Sequence, residues 1–313
     1  MAGRPWEIAD GTLGPVNSAG SNFYRTGGAE PAEGKGGKRL KKVPFSPGRT
    51  GLIAAVTLRE ALRQKLVGLL VLVAVGLVVG VRGLRDFNFG APELKFIADF
   101  GDGAIAGFGA VLAIVLTAQL FFSEIENRTA LTLLAKPVWR TEFLLGKFIG
   151  VAVVLVTFCG TLTATLAVVL WQRETGLRLE QPEAFAMGGA VNYGALVVAA
   201  WLHALKLMLL AAGTLLVASF AQTQIYAVMM GFAGFVICHL QGFAHGAYER
   251  SGASLMLMPA KLIHWVFPDF QRFAVEAAGD GSALGLGRLT IYAAGYTAVA
   301  LGLAVYVFRR REV

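Results

Sequence analysis

The sequence predicts an all-α polytopic membrane protein with six transmembrane helices, and three observations predict it. Apolar residues make up 56% of the 313 residues and charged residues only 15%, with a mean hydropathy of +0.62. A water-soluble core of that size has no room for so much apolar surface. The apolar residues also gather into runs close to the length of about 20 that crosses a hydrocarbon layer about 30 Å thick. Finally, the Lys and Arg residues are divided unequally between the segments that join those runs.

Residues 1–50 alternate Gly, Pro, Ser and isolated charges without helical or strand period, and carry the patch KGGKRLKK at Lys35 to Lys42. They read as a disordered, basic cytoplasmic tail, serving either as a solvated tether or as a contact to anionic membrane lipids. No apolar core precedes Leu66, so no cleavable signal is expected. The net charge of +8 belongs mainly to membrane flanks, so no nucleic acid partner is expected. Residues 51–313 then read as one six-helix transmembrane domain.

Within TGLIAAVTLREALRQK, residues Leu52, Ile53, Val56, Leu58, Ala61 and Leu62 fall largely on one side of a helix. Arg59, Glu60, Arg63, Gln64 and Lys65 fall largely on another. The pattern predicts an interfacial helix over Leu52 to Lys65, lying along the membrane before the first span. The spans are predicted at Leu66–Val81, Ala104–Phe122, Leu144–Trp171, Tyr193–Phe220, Ile225–Phe243 and Leu289–Phe308. The fourth and fifth are separated only by the short turn at Ala221 to Gln224. With both termini placed in the cytoplasm, 18 of the 28 Lys and Arg lie inside, nine outside and Lys206 within a span. That asymmetry predicts a multi-pass protein of the inner, cytoplasmic membrane with both termini inside.

Between the second and third spans runs a compact charged segment, SEIENRTALTLLAKPVWRTEFLLGK. Glu124, Glu126 and Arg128 come first, then the helix-compatible Thr129 to Ala135, then Lys136, Pro137, Arg140, Glu142 and Lys147. Proline at 137 disfavours helix at Lys136 and suits the start of a new one, so the order implies helix, break, helix. Leu131, Leu133 and Leu134 supply apolar surface for a groove on a soluble partner, and the flanking charges set its register.

This segment resembles the stretch between the second and third membrane helices of ABC-2 type permeases. In those proteins an acidic residue, a TLxxLL-like run, a Pro, an Arg and a Lys recur in that order. VTLREALRQK, the SFAQTQ turn at Ser219 to Gln224 and the FRRRE ending are similar to the same family, in particular to its NosY-like and multicopper-enzyme-maturation permease branch. The resemblance implies a permease subunit of an ATP-driven exporter, with a cytoplasmic coupling helix and an interfacial helix at Arg59, Glu60, Arg63 and Lys65. The ATPase-docking residues would be Glu124, Glu126, Arg128, Leu131, Leu133, Leu134, Lys136, Pro137, Arg140 and Glu142. The implied partners are an ABC ATP-binding subunit, a second permease in a homodimer or heterodimer, and membrane lipids. No G-x-x-x-x-G-K-[ST] loop occurs, so no cofactor is expected in this chain. ATP and Mg would be bound by the partner subunit. An ion-coupled secondary transporter and a non-transporting membrane scaffold are the alternatives.

His203 and Lys206 are three residues apart on the fourth span, which puts them on one helix face. Two readings fit: a functional intramembrane pair lining a pore, or a helix that begins near Ala204 and leaves both at the outer interface beside Trp201. Cys238, His239, His245, Met256, Met258 and His264 are too scattered for a metal cluster, and no metal is expected. Gly160 and Ala164 within TFCGTLTAT suit close helix packing, while Thr161 and Thr165 suit a pore lining. Within the large outer loop, Ala244 to Arg288, the apolar stretch Ala253 to Phe273 is punctuated by Pro259 and Pro268 with only eight residues between them, too few to cross a bilayer, so it would lie on the outer surface or cap the pore. The chain has no H-E-x-x-H or G-x-S-x-G, and no catalytic residues are expected.

Overall fold

Small residues, not large apolar ones, decide how the first helix of this protein packs. The computed structural model describes residues 46–81, 83, 93–126, 139–180, 191–251, 266–273 and 283–310. They form seven long helices: α1 (Pro47–Leu62), α2 (Lys65–Gly80), α3 (Glu93–Glu126), α4 (Arg140–Glu180), α5 (Tyr193–Phe220), α6 (Gln224–Ser251) and α7 (Ala283–Arg310). All lie within one compact unit that spans Pro44 to Val313. Helices α3 to α7 are each long and apolar enough to cross a membrane, and α1 with α2 forms a sixth candidate, bent by 65° at its break.

The bend has a local cause. Helix α1 ends at Leu62 with Arg63 as its C-cap, and Gln64 is extended at φ −75° and ψ 124° before α2 begins. The helix begins at Pro47, where the missing amide proton of proline costs nothing. It therefore starts five residues before the predicted Leu52 and ends before Lys65, which opens α2 instead. Its packed face is made of small residues. Thr50, Ala54, Thr57 and Ala61 form the buried stripe, while Leu52, Val56 and Leu62 are exposed.

The surface that receives this stripe is on α4. A Cβ on Gly146 would stand 2.7 Å from Cβ of Ile53, and one on Gly150 would stand 2.7 Å from Cβ of Thr57. Two glycines four residues apart thus make a groove in which α1 lies against the α4 backbone. Helix α3 is similarly enclosed, with Gly109 against Leu207 of α5 and Ile114 against Gly231 of α6. The core falls into two apolar groups. The larger fills the middle of the bundle around Leu112, Ile114, Leu155, Leu162 and Leu207, and the smaller holds Phe121, Phe143, Leu215 and Phe308.

Two predicted boundaries are corrected. The second span belongs to a helix that begins at Glu93, eleven residues before Ala104, so Asp99 and Asp102 are helical. The predicted outer loop from Ala244 to Arg288 is helical at both margins, because α6 continues to Ser251 and α7 begins at Ala283. The SFAQTQ turn is as expected: Ala221 is extended at φ −63° and ψ 145°. Thr223 Oγ1 then accepts the amide of Tyr226 at 3.3 Å, capping α6. Gly160 does not pack within the chain, since a Cβ there would meet nothing within 4 Å. Thr157, Thr161 and Thr165 donate to the carbonyls four residues before them.

The groove makes a contrast that a stability measurement can read. Gly146→Ala places a methyl group against a branched carbon that cannot rotate away, so we expect a loss of about 1–3 kcal/mol. Gly160→Ala adds the same methyl to open space and should be neutral or slightly stabilising. Thermal unfolding of the two variants in one detergent distinguishes them.

Candidate functional site

A lysine buried at the membrane edge must find countercharges, and Lys147 of α4 finds two. Its side chain is 2% exposed; Nζ lies 2.5 Å from Oε1 of Glu124 on α3 and 3.3 Å from Oε2 of Glu60 on α1. Glu60 Oε1 in turn accepts the hydroxyl of Ser123 at 3.0 Å. Three helices thus share one charge network, with Lys147 directly beside the Gly146 groove. The network lies one turn from where α3 ends and two turns from where α4 begins.

Glu142, in the first turn of α4, supplies a second connection. Its side chain is fully buried, and Oε1 accepts the backbone amide of Ser46 at 2.7 Å while lying 3.1 Å from Arg49 Nη2. Its other oxygen accepts the amide of Trp139 at 3.2 Å, satisfying a free donor at the N-terminus of α4. A third connection runs to the end of the chain. Arg140 Nη1 donates to the carbonyls of Phe308 and Arg309 at 2.9 and 3.1 Å, capping α7. Phe308 sits between Phe121 of α3 and Phe143 of α4, with ring centroids 5.7 and 6.1 Å away.

The docking residues expected from sequence therefore have distinct placements. Glu124, Arg140 and Glu142 are bonded within the chain, and Glu142 is buried rather than displayed. Arg128, Leu131, Leu133, Leu134, Lys136 and Pro137 lie outside the described residues, as does the side chain of Glu126. Of the interfacial-helix residues, Glu60 joins the Lys147 network, while Arg59, Arg63 and Lys65 are exposed. Arg49, Gly146 and Gly150 were not singled out by sequence reasoning. The i, i+4 spacing of the two glycines was the available signal.

A second charged group lies inside the bundle. The reading in which the fourth span begins near Ala204 is overturned, because α5 begins at Tyr193 and both His203 and Lys206 are buried. Lys206 lies thirteen residues into this 28-residue helix, about 20 Å along it. His203 Nε2 is 2.7 Å from Oδ1 of Asp102 on α3, and Lys206 is within electrostatic range of Asp102 and of Cys159 on α4. Hydropathy placed Asp102 in a loop and so hid this partner.

Far from α1, Arg173 of α4 makes a two-pronged contact with Glu93 of α3, at 2.6 and 3.0 Å, and Tyr193 donates to buried Glu174 at 2.8 Å. Residues 266–273 turn two aromatic side chains into the bundle. Phe270 and Phe273 are each 2% exposed, and the Phe270 amide donates to the Cys238 carbonyl on α6 at 3.2 Å. His239 packs between Phe235 and Phe270, with ring centroids 4.7 and 5.9 Å away. Among the described residues, no three His, Cys, Asp or Glu side chains converge as metal ligands would.

Comparison with known proteins gives one result for most of the chain. The family model described as "ABC-2 family transporter protein" matches residues 54–313, which include all three connections around α4 except for Ser46 and Arg49. No curated protein matches the chain.

The Lys147 network predicts a specific rescue. Lys147→Met leaves Glu124 and Glu60 without their shared cation and should destabilise the protein by about 3–5 kcal/mol. Adding Glu60→Gln and Glu124→Gln removes the unpaired charges and should restore most of that loss. Thermal unfolding of the single and triple variants reads both steps.

Proposed function

This chain belongs to the ABC-2 transporter family, and from that premise we propose that it is the membrane subunit of an ATP-driven exporter. As an ABC transporter permease it is a multi-pass membrane component, not itself an ATPase. The finer proposal is that a separate ATP-binding subunit, carrying ATP and Mg, docks on the segment from Glu124 to Glu142. Both termini are cytoplasmic in this reading, as the distribution of Lys and Arg suggests, and the membrane is the inner one. A second permease subunit, identical or different, completes the pore. The resemblance of VTLREALRQK, the SFAQTQ turn and the FRRRE ending to the NosY-like branch supports placement there.

One observation carries the docking proposal. The residues that flank 127–138 tie α4 to three other helices: to α1 and α3 through Lys147, to α1 again through Glu142, and to α7 through Arg140. A force applied to that segment would be passed at once to α1, α3, α4 and α7, rather than absorbed in a loop. This is the arrangement a permease needs if ATP binding elsewhere is to move its membrane helices. An ion-coupled carrier draws support from the Asp102, His203 and Lys206 group, but family membership weighs toward an ATP-driven machine.

Purification of the tagged chain in mild detergent should recover a stoichiometric protein with a phosphate-binding loop. Leu133→Asp with Leu134→Asp should reduce that recovery at least about tenfold while the chain still inserts and remains monodisperse. Undiminished recovery would remove the docking assignment.

A further inference from the structure

The exposed face of α3 is unlike that of the other helices. Large apolar side chains are exposed on α2 (Leu69, Leu72), on α6 (Ile225, Met229) and on α7 (Ile291, Val299), as contact with lipid requires. Among the described residues, no large apolar side chain is exposed on α3. What its outer half exposes instead, at successive steps of four residues, is Lys95, Asp99, Gly103 and Gly107, with Asp102 and Ala106 half-exposed beside them. Continuing the same stripe, Val111 and Val115 are partly covered. From Lys95 to Gly107 is twelve residues, or about 18 Å of helix. Two carboxylates and an ammonium over that length are not a lipid-facing surface.

Asp102 is the decisive residue. Its side chain is 51% exposed although it bonds to His203, which is 9% exposed. Behind it Lys206 is 6% exposed and makes no hydrogen bond or ion pair among the described residues. A half-open carboxylate nine residues into a membrane helix, with a buried ammonium behind it, needs water in front of it.

We propose that the outer half of α3 forms one wall of a water-filled vestibule, open at the end of the bundle opposite α1 and reaching about the level of Gly107. Asp99 and Asp102 make it selective for solutes that carry a cationic group. His203 positions the Asp102 carboxylate toward the water, and the buried ammonium of Lys206 stands behind it as a countercharge. The vestibule deepens the permease reading, on which its use as a solute path rests, but its existence is tested without any ATPase.

The test uses introduced thiols, because a thiol reacts as its thiolate, which forms in water and not in lipid. Gly103 and Gly107 are suited to substitution, since a Cβ at either would meet nothing within 4 Å. The native thiols Cys159 and Cys238 are 1% and 5% exposed and give the unreactive baseline. Gly103→Cys, Gly107→Cys and the lipid-facing control Val299→Cys are made in the full chain, checked for monodispersity, and placed in lipid nanodiscs where both faces are open. They are then treated with a cationic, an anionic and an uncharged thiol reagent of similar size.

We expect both glycine positions to react with charged reagents while Val299→Cys does not. At Gly103→Cys the cationic reagent should be faster than the anionic one by about tenfold, and Asp99→Asn with Asp102→Asn should abolish that preference. Reaction with the uncharged reagent alone would mean lipid, and protection from all three would mean protein; either result overturns the vestibule. Equal rates for cation and anion would overturn its selectivity. Loss of ATPase recovery with labelling intact would instead count against the docking reading alone.

Discussion

Burying Lys147 beneath α1 sets the geometry of one end of this protein. An ammonium removed from water must be paired or the fold pays several kcal/mol. Its partners, Glu60 and Glu124, come from two other helices, so α1 and α3 cannot both be correctly placed unless α4 is. The Gly146 groove makes this possible by letting the α1 backbone approach within reach of the lysine. The small stripe of α1 is the other half of the same requirement. With Thr50, Ala54, Thr57 and Ala61 turned to the protein, Leu52, Val56 and Leu62 stay exposed. The helix is therefore a docked part of the bundle with an apolar outer side.

The same logic gives the bundle two differently built ends and a guarded middle. Near α1, charges connect helix termini to one another: Glu142 caps α4 and holds the start of α1, and Arg140 caps α7. At the other end the pairs run between helix flanks, Arg173 to Glu93 and Tyr193 to Glu174. Between them the packing is largely apolar, and among the described residues it includes the pair Asp102 and His203, near buried Lys206. Asp102 lies on α3, whereas His203 and Lys206 lie on α5. Helix α3 contacts α4, α5 and α6 through close approaches at Gly101, Gly109 and Gly231, which fixes the direction in which its remaining face points.

The spans were legible because lipid demands uninterrupted apolar runs, and Tyr193–Phe220 agrees with α5 at both ends. Helix α3 was truncated for the same reason. Lys95, Asp99 and Asp102 lower the local hydropathy, yet they share one face and leave the helix intact, so a test of mean apolarity reads them as loop. Lys206 then lacked a visible partner. Glu142 illustrates a different limit: in the sequence it is one more charge in a charged segment, and nothing in its neighbours says that it faces inward to cap its own helix and receive Ser46. On α1 the amphipathic pattern marks the large apolar side, Leu52, Val56 and Leu62, but not the stripe of small residues, Thr50, Ala54, Thr57 and Ala61, that packs on α4; size rather than polarity distinguishes that stripe.

Ion pairs of this kind contribute more to arrangement than to net stability, because desolvation offsets most of their attraction. Apolar substitutes would hold α1, α3, α4 and α7 together about as strongly, but with many alternative registers. Charges joined at helix termini permit only one, and so convert four helix ends into a single body. If these ends move together, the deformation has to occur where the chain is least constrained. The break at Arg63 and Gln64, where a single extended residue turns α1 by 65° from α2, is one such place. The turn at Ala221 to Thr223 between α5 and α6 is another. Neither break contains a glycine, so each is a defined bend, and the charged connections are what direct strain toward it.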